Sequence, residues 1–157
     1  MVLLRMFLLT AAVSLMGCLS AQTVSATKRI RIPSNARIVI EQPPDAMDND
    51  EPYKGSGQKL ANQLKGALLS HFASVEIGSG GNADWVIKPS ILNWDDRETE
   101  WSGKPDRIRV ALQVYHGRQT VGASIIEAKS SYWTLGGDHP EELLAKPFAE
   151  FAQSVAR

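Results

Sequence analysis

The clearest pattern along the chain is a strict alternation of apolar and polar side chains over residues 107–115. The apolar positions are Ile108, Val110, Leu112 and Val114. A period of two residues places such a set on one face of a strand, so the segment predicts a half-buried antiparallel β-strand. A turn at 116–118 and a second β-rich segment at 121–133 predict the returning strand of a hairpin. The alternation of that second segment changes phase at residues 125–126, which predicts a β-bulge there.

Apolar residues at helical spacing predict two helices. The first is predicted at residues 57–74, with Ser56 as its N-cap, and the second begins at Pro140. Shorter runs rich in β-branched residues predict further strands at 37–40, 75–77 and 85–92. Pro89 interrupts the last of these, which predicts a sheet edge or a bulge at that point.

This order of elements predicts an α+β fold. We expect a two-layer sandwich with a mostly antiparallel sheet and both helices on one of its faces. The order is similar to that of the amino-terminal domain of TolB and of the small periplasmic lipoproteins built like it. The segment 83–87, placed after a long helix, is a local likeness to the same group.

The amino-terminal segment has the organisation of an export signal. One basic residue precedes an apolar run that is too short to span a bilayer. The run ends in Leu-Met-Gly-Cys at 15–18, which resembles the lipobox of bacterial lipoproteins. That resemblance implies removal of residues 1–17, a diacylglycerol thioether on Cys18, and acylation of the new amino terminus. Leu19, rather than Asp, implies an outer-membrane location facing the periplasm. The alternative is an ordinary signal peptide cut near Ala21.

Composition narrows the remaining possibilities. Residues 18–35 are small and polar at their start and predict a lipid-anchored tether, followed by one periplasmic domain at 36–157. The 17 Lys and Arg balance the 17 Asp and Glu, which argues against nucleic acid as a partner. One cysteine and three scattered histidines provide no metal-ligand spacing. We therefore expect neither a metal site nor a cofactor.

The first helix is preceded by Gly55, Ser56 and Gly57. Free backbone N–H groups at a helix start attract anions, so one interpretation is an anion site. The other, which we favour, is a simple helix cap. Ser56, Asp138 and His139 provide the residue types of a hydrolase, but two of them are adjacent in sequence and predict no triad. We expect the protein not to be an enzyme.

A charged loop at 95–106 carries the strongest indication of an interaction surface. The candidate residues are Trp94, Arg97, Trp101, Lys104 and Arg107. Trp and Arg dominate the energetics of protein interfaces, and long loops inside compact domains often serve function. We expect the loop to matter for binding and not for folding. The alternative for the indoles is that they cover an open sheet edge.

Three motifs resemble an uncharacterised family of bacterial lipoproteins that is defined only as a domain of unknown function. They are GSGQ at 55–58, EWSGKPDR at 100–107 and GGDHP at 136–140. The resemblance runs from about residue 36 to the end and implies location and fold without an activity. We therefore expect a lipid-anchored, non-catalytic envelope accessory that binds another envelope protein. A small-ligand or glycan binder using the Trp-rich loop at 94–107 is the alternative.

Overall fold

The structure, a computed structural model, describes residues 21–26, 30–48, 51–81, 83–97, 104–130 and 139–156. Predictions that concern Cys18 or Trp101 lie outside these ranges, as do the last residues of the predicted strand at 121–133 and the GGDHP motif up to Asp138. No helix in the described ranges is long and apolar enough to cross a membrane.

Eight strands and two α-helices are formed in the described ranges. The strands are β1 (Ala21–Ala26), β2 (Arg37–Ile40), β3 (Ala46–Asp48), β4 (Glu51–Tyr53), β5 (Ser74–Ile77), β6 (Trp85–Asp95), β7 (Arg107–His116) and β8 (Gln119–Lys129). The helices are α1 (Ser56–Leu69) and α2 (Ala145–Val155), and a 3₁₀ helix at Pro140–Leu144 leads into α2.

Six of the strands form one mixed sheet in the order β1-β8-β7-β6-β2-β5. The neighbours from β1 to β6 pair antiparallel, whereas β2 pairs parallel with both β6 and β5. Strands β3 and β4 form a separate antiparallel hairpin between β2 and α1. The predicted α+β class is confirmed, and the sheet is mixed because the chain crosses over through α1 between β2 and β5.

The hydrophobic core lies where β7 meets the helices. The four apolar residues of its alternating pattern are fully buried, and Arg109 and Gln113 between them are exposed, as predicted. Helix α1 adds Leu60, Leu64 and Leu68 to the same core, and α2 adds Phe148 and Phe151. The two helices also contact each other.

Helix α1 ends at Leu69, before the predicted end at residue 74. Phe72 is nevertheless buried, because the chain leaves the helix in a tight turn whose Phe72 N–H still bonds the Leu68 carbonyl at 2.9 Å. Ser74 then pairs with Arg37 at the start of β5. Pairing with β2 therefore takes precedence over the helical periodicity of this segment.

Two further expectations are corrected. Residues 21–26 lie within the predicted tether but form β1, which pairs along β8, and Ile30 and Ile32 are buried in the core. The bulge predicted at residues 125–126 is absent from the described β8, where the register shifts instead opposite Val114 and Tyr115. A second shift falls in β6 between Ile91 and Asn93.

Candidate functional site

One edge of β6 lacks a paired strand over much of its length. The ladder with β2 reaches only Ile87, whose carbonyl accepts a hydrogen bond from the Glu41 N–H at 3.0 Å. Alternate residues of a strand direct their backbone groups to the same side, so Pro89 and Ile91 also face this edge. No described strand pairs with them there. Pro89 fits because it has no N–H to leave unpaired, which agrees with the predicted edge.

A groove of about 310 Å³ runs beside this open edge. One wall is the segment 44–47, and the other is formed by residues 90–94 of β6. Met47 is 60% exposed and Leu92 is 51% exposed, and both line the groove. Leu92 is the extra residue of the β6 bulge and follows Ser90 on the exposed face of the strand. The change of phase at the bulge turns Trp94 inward, opposite Ile108. Neither Met47 nor Leu92 was predicted from the sequence to belong to a site. The Pro89 irregularity was the one signal for this region.

Hydrogen bonds join the wall at 44–47 to residues 55–57 at the start of α1. The sequence predicted a helix cap or an anion site at these three residues. Both carboxylate oxygens of Asp45 accept hydrogen bonds, from the Gly55 and Gly57 N–H groups, each at 3.0 Å. These hydrogen bonds hold the pKa of the Asp45 carboxyl below its usual value, and the bond from Gly55 has the larger effect. The anion at this helix start is therefore the protein's own carboxylate.

Ser56 is not the N-cap, which corrects the prediction. Gly55 holds that position in the left-handed conformation, with φ of 84°. The Ser56 hydroxyl is buried and accepts the Ala46 N–H at 2.7 Å, so it also fastens the wall. Gly57 is required by space, since a Cβ there would lie 2.3 Å from the Pro43 carbonyl oxygen. All three residues thus position the groove wall.

Trp94 lies in the interior and not on a surface, contrary to the prediction. It is 3% exposed and packs on Tyr53 with ring centroids 5.2 Å apart. The described part of the chain offers its Nε1–H no hydrogen-bond partner. Trp94 thus closes the inner end of the groove and ties β6 to the β3–β4 hairpin.

A cluster of ionisable side chains surrounds the Tyr53 ring. Burial, a hydrogen bond to Asp96 and the nearby charges of Asp96 and Glu141 raise the pKa of Tyr53 to about 12. The phenol therefore stays protonated near neutral pH and donates to Asp96. His139 Nδ1 lies 3.6 Å from Asp96, and Lys59 pairs with Glu141 at 2.5 Å. These contacts join the 3₁₀ helix to the strands and to α1.

The Arg97 side chain is also buried, so the prediction that it lies on an interaction surface is wrong. Its side chain is 4% exposed and its Nε lies 3.2 Å from the fully buried carboxylate of Asp106. Asp106 accepts the Arg97 backbone N–H at 2.8 Å and the Ser130 hydroxyl at 3.2 Å. We call these three residues the loop lock, because they join both ends of the 97–106 connection to the end of β8. Asp106 was not predicted as a structural residue, because a loop of this composition is normally solvated.

Lys104 and Arg107 are exposed, as an interface would need, and Trp101 lies outside the described residues. Of the four predicted loop residues that the structure describes, two are buried and two are exposed, so these four do not form one surface. A larger open depression of about 690 Å³ is lined by Glu41, Gln58 and the turn at 77–79, without a basic side chain to hold an anion. Within the described ranges, no three His, Cys, Asp or Glu side chains are arranged to hold a metal ion.

Comparison with known families and folds places the chain in a class of α+β domains. Residues 79–155, just under half of the chain, match a family described as "Domain of unknown function (DUF4823)". This agrees with the predicted likeness to an uncharacterised family over β6 to α2. No curated protein sequence matches the chain.

Solved structures extend the likeness to nearly the whole fold. A PelC dodecamer from Paraburkholderia phytofirmans superposes with a TM-score of 0.70 at 12% identity, covering 87% of this chain and 99% of that one. A Xanthomonas campestris protein of the family described as DUF330 gives 0.56 at 11% identity, with 80% and 88% covered. At such identities the likeness concerns the fold alone.

Proposed function

We propose that this protein is a lipid-anchored, non-catalytic accessory of the bacterial cell envelope that binds an extended segment of another envelope protein along the open edge of β6. The observation that carries the proposal is the groove between segment 44–47 and residues 90–94 of β6, along which no described strand pairs with β6 and into which Met47 and Leu92 are exposed. Edge addition of a peptide strand combines backbone hydrogen bonds with pockets for alternate side chains.

Two features of the groove support a protein segment as its occupant. Strand edges are usually protected by charge, by proline, by a bulge or by a covering segment, because they otherwise pair with other chains. Pro89 and the bulge at Leu92 restrict backbone pairing on this edge to Ile91 and its neighbours, so the apolar groove itself provides most of the contact. Met47 and Leu92 are two of the four large apolar residues exposed in the described ranges, and they lie on opposite walls of the groove beside the exposed polar side chains of Ser90 and Asn93. The wall fastened by Asp45 and Ser56 is already in place, which lowers the entropic cost of binding.

The anchor is supported by the lipobox-like ending at Cys18. A thioether-linked diacylglycerol with an acylated amino terminus gives the chains needed for stable attachment. Leu19 favours the outer membrane, with the domain in the periplasm. Trp94 and Arg97, two of the five residues predicted for the surface of the loop, lie inside the domain, which removes support from the glycan-binding alternative and from the loop as a protein interface alike.

Fractionation tests the anchor. The wild-type chain should be recovered in the membrane fraction with Cys18 acylated, whereas Cys18→Ser should be released by detergent-free extraction. A Cys18→Ser variant that stays bound to membranes as before would contradict the anchor.

Crosslinking in intact envelopes tests the groove. Leu92→Glu should reduce the yield of the adduct with a different envelope protein, because a charge would be desolvated in the contact. Leu69→Glu is the matched control, since Leu69 on α1 is 48% exposed and remote from the groove. Equal loss in both variants, or in neither, would contradict the proposal. An adduct of two copies of the chain, an assembly of the kind described for PelC, would also contradict it.

A further inference from the structure

The groove at β6 lies close to the anchored end of the chain. Two residues separate Cys18 from Ala21, the first residue of β1. Ala21 pairs with Lys129 on β8. Lys129 pairs in turn with Arg107 on β7, and Arg107 pairs with Asp95 on β6. One cross-strand row therefore leads from the anchored end of the chain to the end of the groove.

This row limits the distance between the anchor and the groove. The chain from Cys18 to Ala21 spans at most about 11 Å, and successive strands of the row then lie about 4.8 Å apart. Trp94, at the inner end of the groove, precedes Asp95, so this end lies within roughly 30 Å of the Cys18 Cα. A domain of about 140 residues is roughly 35–40 Å across. The inner end of the groove therefore stays within one domain width of the anchor in every orientation of the domain.

The groove is small for a stable complex. Its volume is about 310 Å³, and nine residues line it. Stable protein interfaces use about 20–30 residues on each side. Backbone pairing is restricted to Ile91 and its neighbours, and Met47 and Leu92 are the large apolar side chains exposed along the groove. Binding in the groove alone is therefore weak, because these contacts offset little of the entropic cost of association.

We propose that the groove binds a segment of a protein held in the same membrane as this chain, and that shared attachment to that membrane keeps the two proteins together. The inference rests on the proposed function, because it assigns a class of partner to the same groove. Two attachments to one support make the contact in the groove effectively intramolecular, at a local concentration of about millimolar order.

A soluble periplasmic partner gains nothing from the short connection between Cys18 and the groove. A partner that is embedded in the membrane, or lipidated on it, meets the groove within a thin layer above the bilayer. Its occupying segment lies close to its own membrane attachment, since the groove cannot move far from the anchor.

The test moves the anchor and leaves every residue of the groove unchanged. A benzophenone amino acid at Leu92 reports occupancy of the groove in living cells. Asp after the acylated cysteine is typical of lipoproteins retained in the inner membrane, so Leu19→Asp keeps the lipid and changes the membrane. Leu19→Ser removes the same side chain without adding an acid and is the matched control. Cys18→Ser removes the lipid.

We expect the parent and Leu19→Ser to give an adduct with a different envelope protein in equal yield. In Leu19→Asp and Cys18→Ser the yield should fall at least about tenfold at equal amounts of protein, because the shared attachment is lost. The captured protein should stay with the outer membrane during detergent-free extraction. Density fractionation of envelopes and mass spectrometry of Cys18 establish where each form is anchored.

Each outcome decides the inference. A parental yield in Leu19→Asp or in Cys18→Ser overturns it, as does a captured protein that detergent-free extraction releases. In these cases an adduct still forms in the groove, so the proposed function stands. Absence of an adduct in the parent overturns the proposed function and this inference together. A parent that is not acylated at Cys18 overturns the anchor and the shared attachment.

Discussion

Replacing Arg97 tests whether the loop at 97–106 is held by an interior ion pair. Arg97→Met removes the guanidinium but keeps most of the buried volume of the side chain. The Asp106 carboxylate then stays fully buried with two of its contacts, the Arg97 backbone N–H at 2.8 Å and the Ser130 hydroxyl at 3.2 Å. From composition alone, changes in this loop are expected to leave stability unchanged.

The expected cost follows from the burial of both partners. Removing one member of a buried ion pair costs about 3–5 kcal/mol, because the other charge is left uncompensated. The two remaining hydrogen bonds to Asp106 favour the lower value, about 3 kcal/mol. For a domain of this size that corresponds to a fall in Tm of roughly 6–12 °C.

Urea unfolding followed by tryptophan fluorescence measures this change. Ser130→Ala removes a donor to the Asp106 carboxylate and the acceptor of the buried Asp106 N–H, and should lower the free energy of unfolding by about 2 kcal/mol. Lys104→Glu alters an exposed charge of the same loop and should stay within about 0.5 kcal/mol of the parent. An Arg97→Met variant within about 1 kcal/mol of the parent would refute the loop lock.

Three further predictions concern the core and the ionisable groups. Val110→Asp places an unpaired charge in the core and should abolish cooperative thermal unfolding, whereas Ile125→Asp on the exposed face should not. A tyrosine with pKa of about 12 should appear in the near-ultraviolet titration and be absent in Tyr53→Phe; its contribution to stability is complete below pH 10 and lost as the pH rises to about 12. Asp45→Ala should lower stability at neutral pH, and urea unfolding should show the difference from the parent shrinking below about pH 4, as the carboxylate is protonated through its lowered pKa.

The sequence was most informative where one local pattern determined the outcome. Strict alternation in β7 identified its buried face, because a strand has only two faces and one of them meets the helices. Helical spacing located α1, although its end was set by the pairing of Ser74 with Arg37, which no local pattern encodes. The parallel pairing of β2 likewise depends on a crossover between distant segments.

The candidate site was harder to predict because its side chains change role through distant contacts. Arg97 and Trp94 belong to a segment with the composition of an exposed loop. Both side chains are nevertheless buried, because Arg97 pairs with Asp106 and Trp94 packs on Tyr53. The turn before α1 has residues typical of a helix cap. The carboxylate that accepts the Gly55 N–H belongs to Asp45, ten residues earlier in the chain. Pro89 was the useful local signal, since a residue without an N–H is tolerated where no strand pairs.

The central claim, that the open edge of β6 binds another envelope protein, is tested most directly by photo-crosslinking in living cells. A benzophenone amino acid at Leu92 should give an adduct with a different envelope protein, and the same group at Met47 across the groove should give the same adduct. At Leu69, which is similarly exposed on α1, it should give none. Adducts of equal yield from Leu92 and Leu69, or an adduct only with a second copy of the chain, would contradict the account.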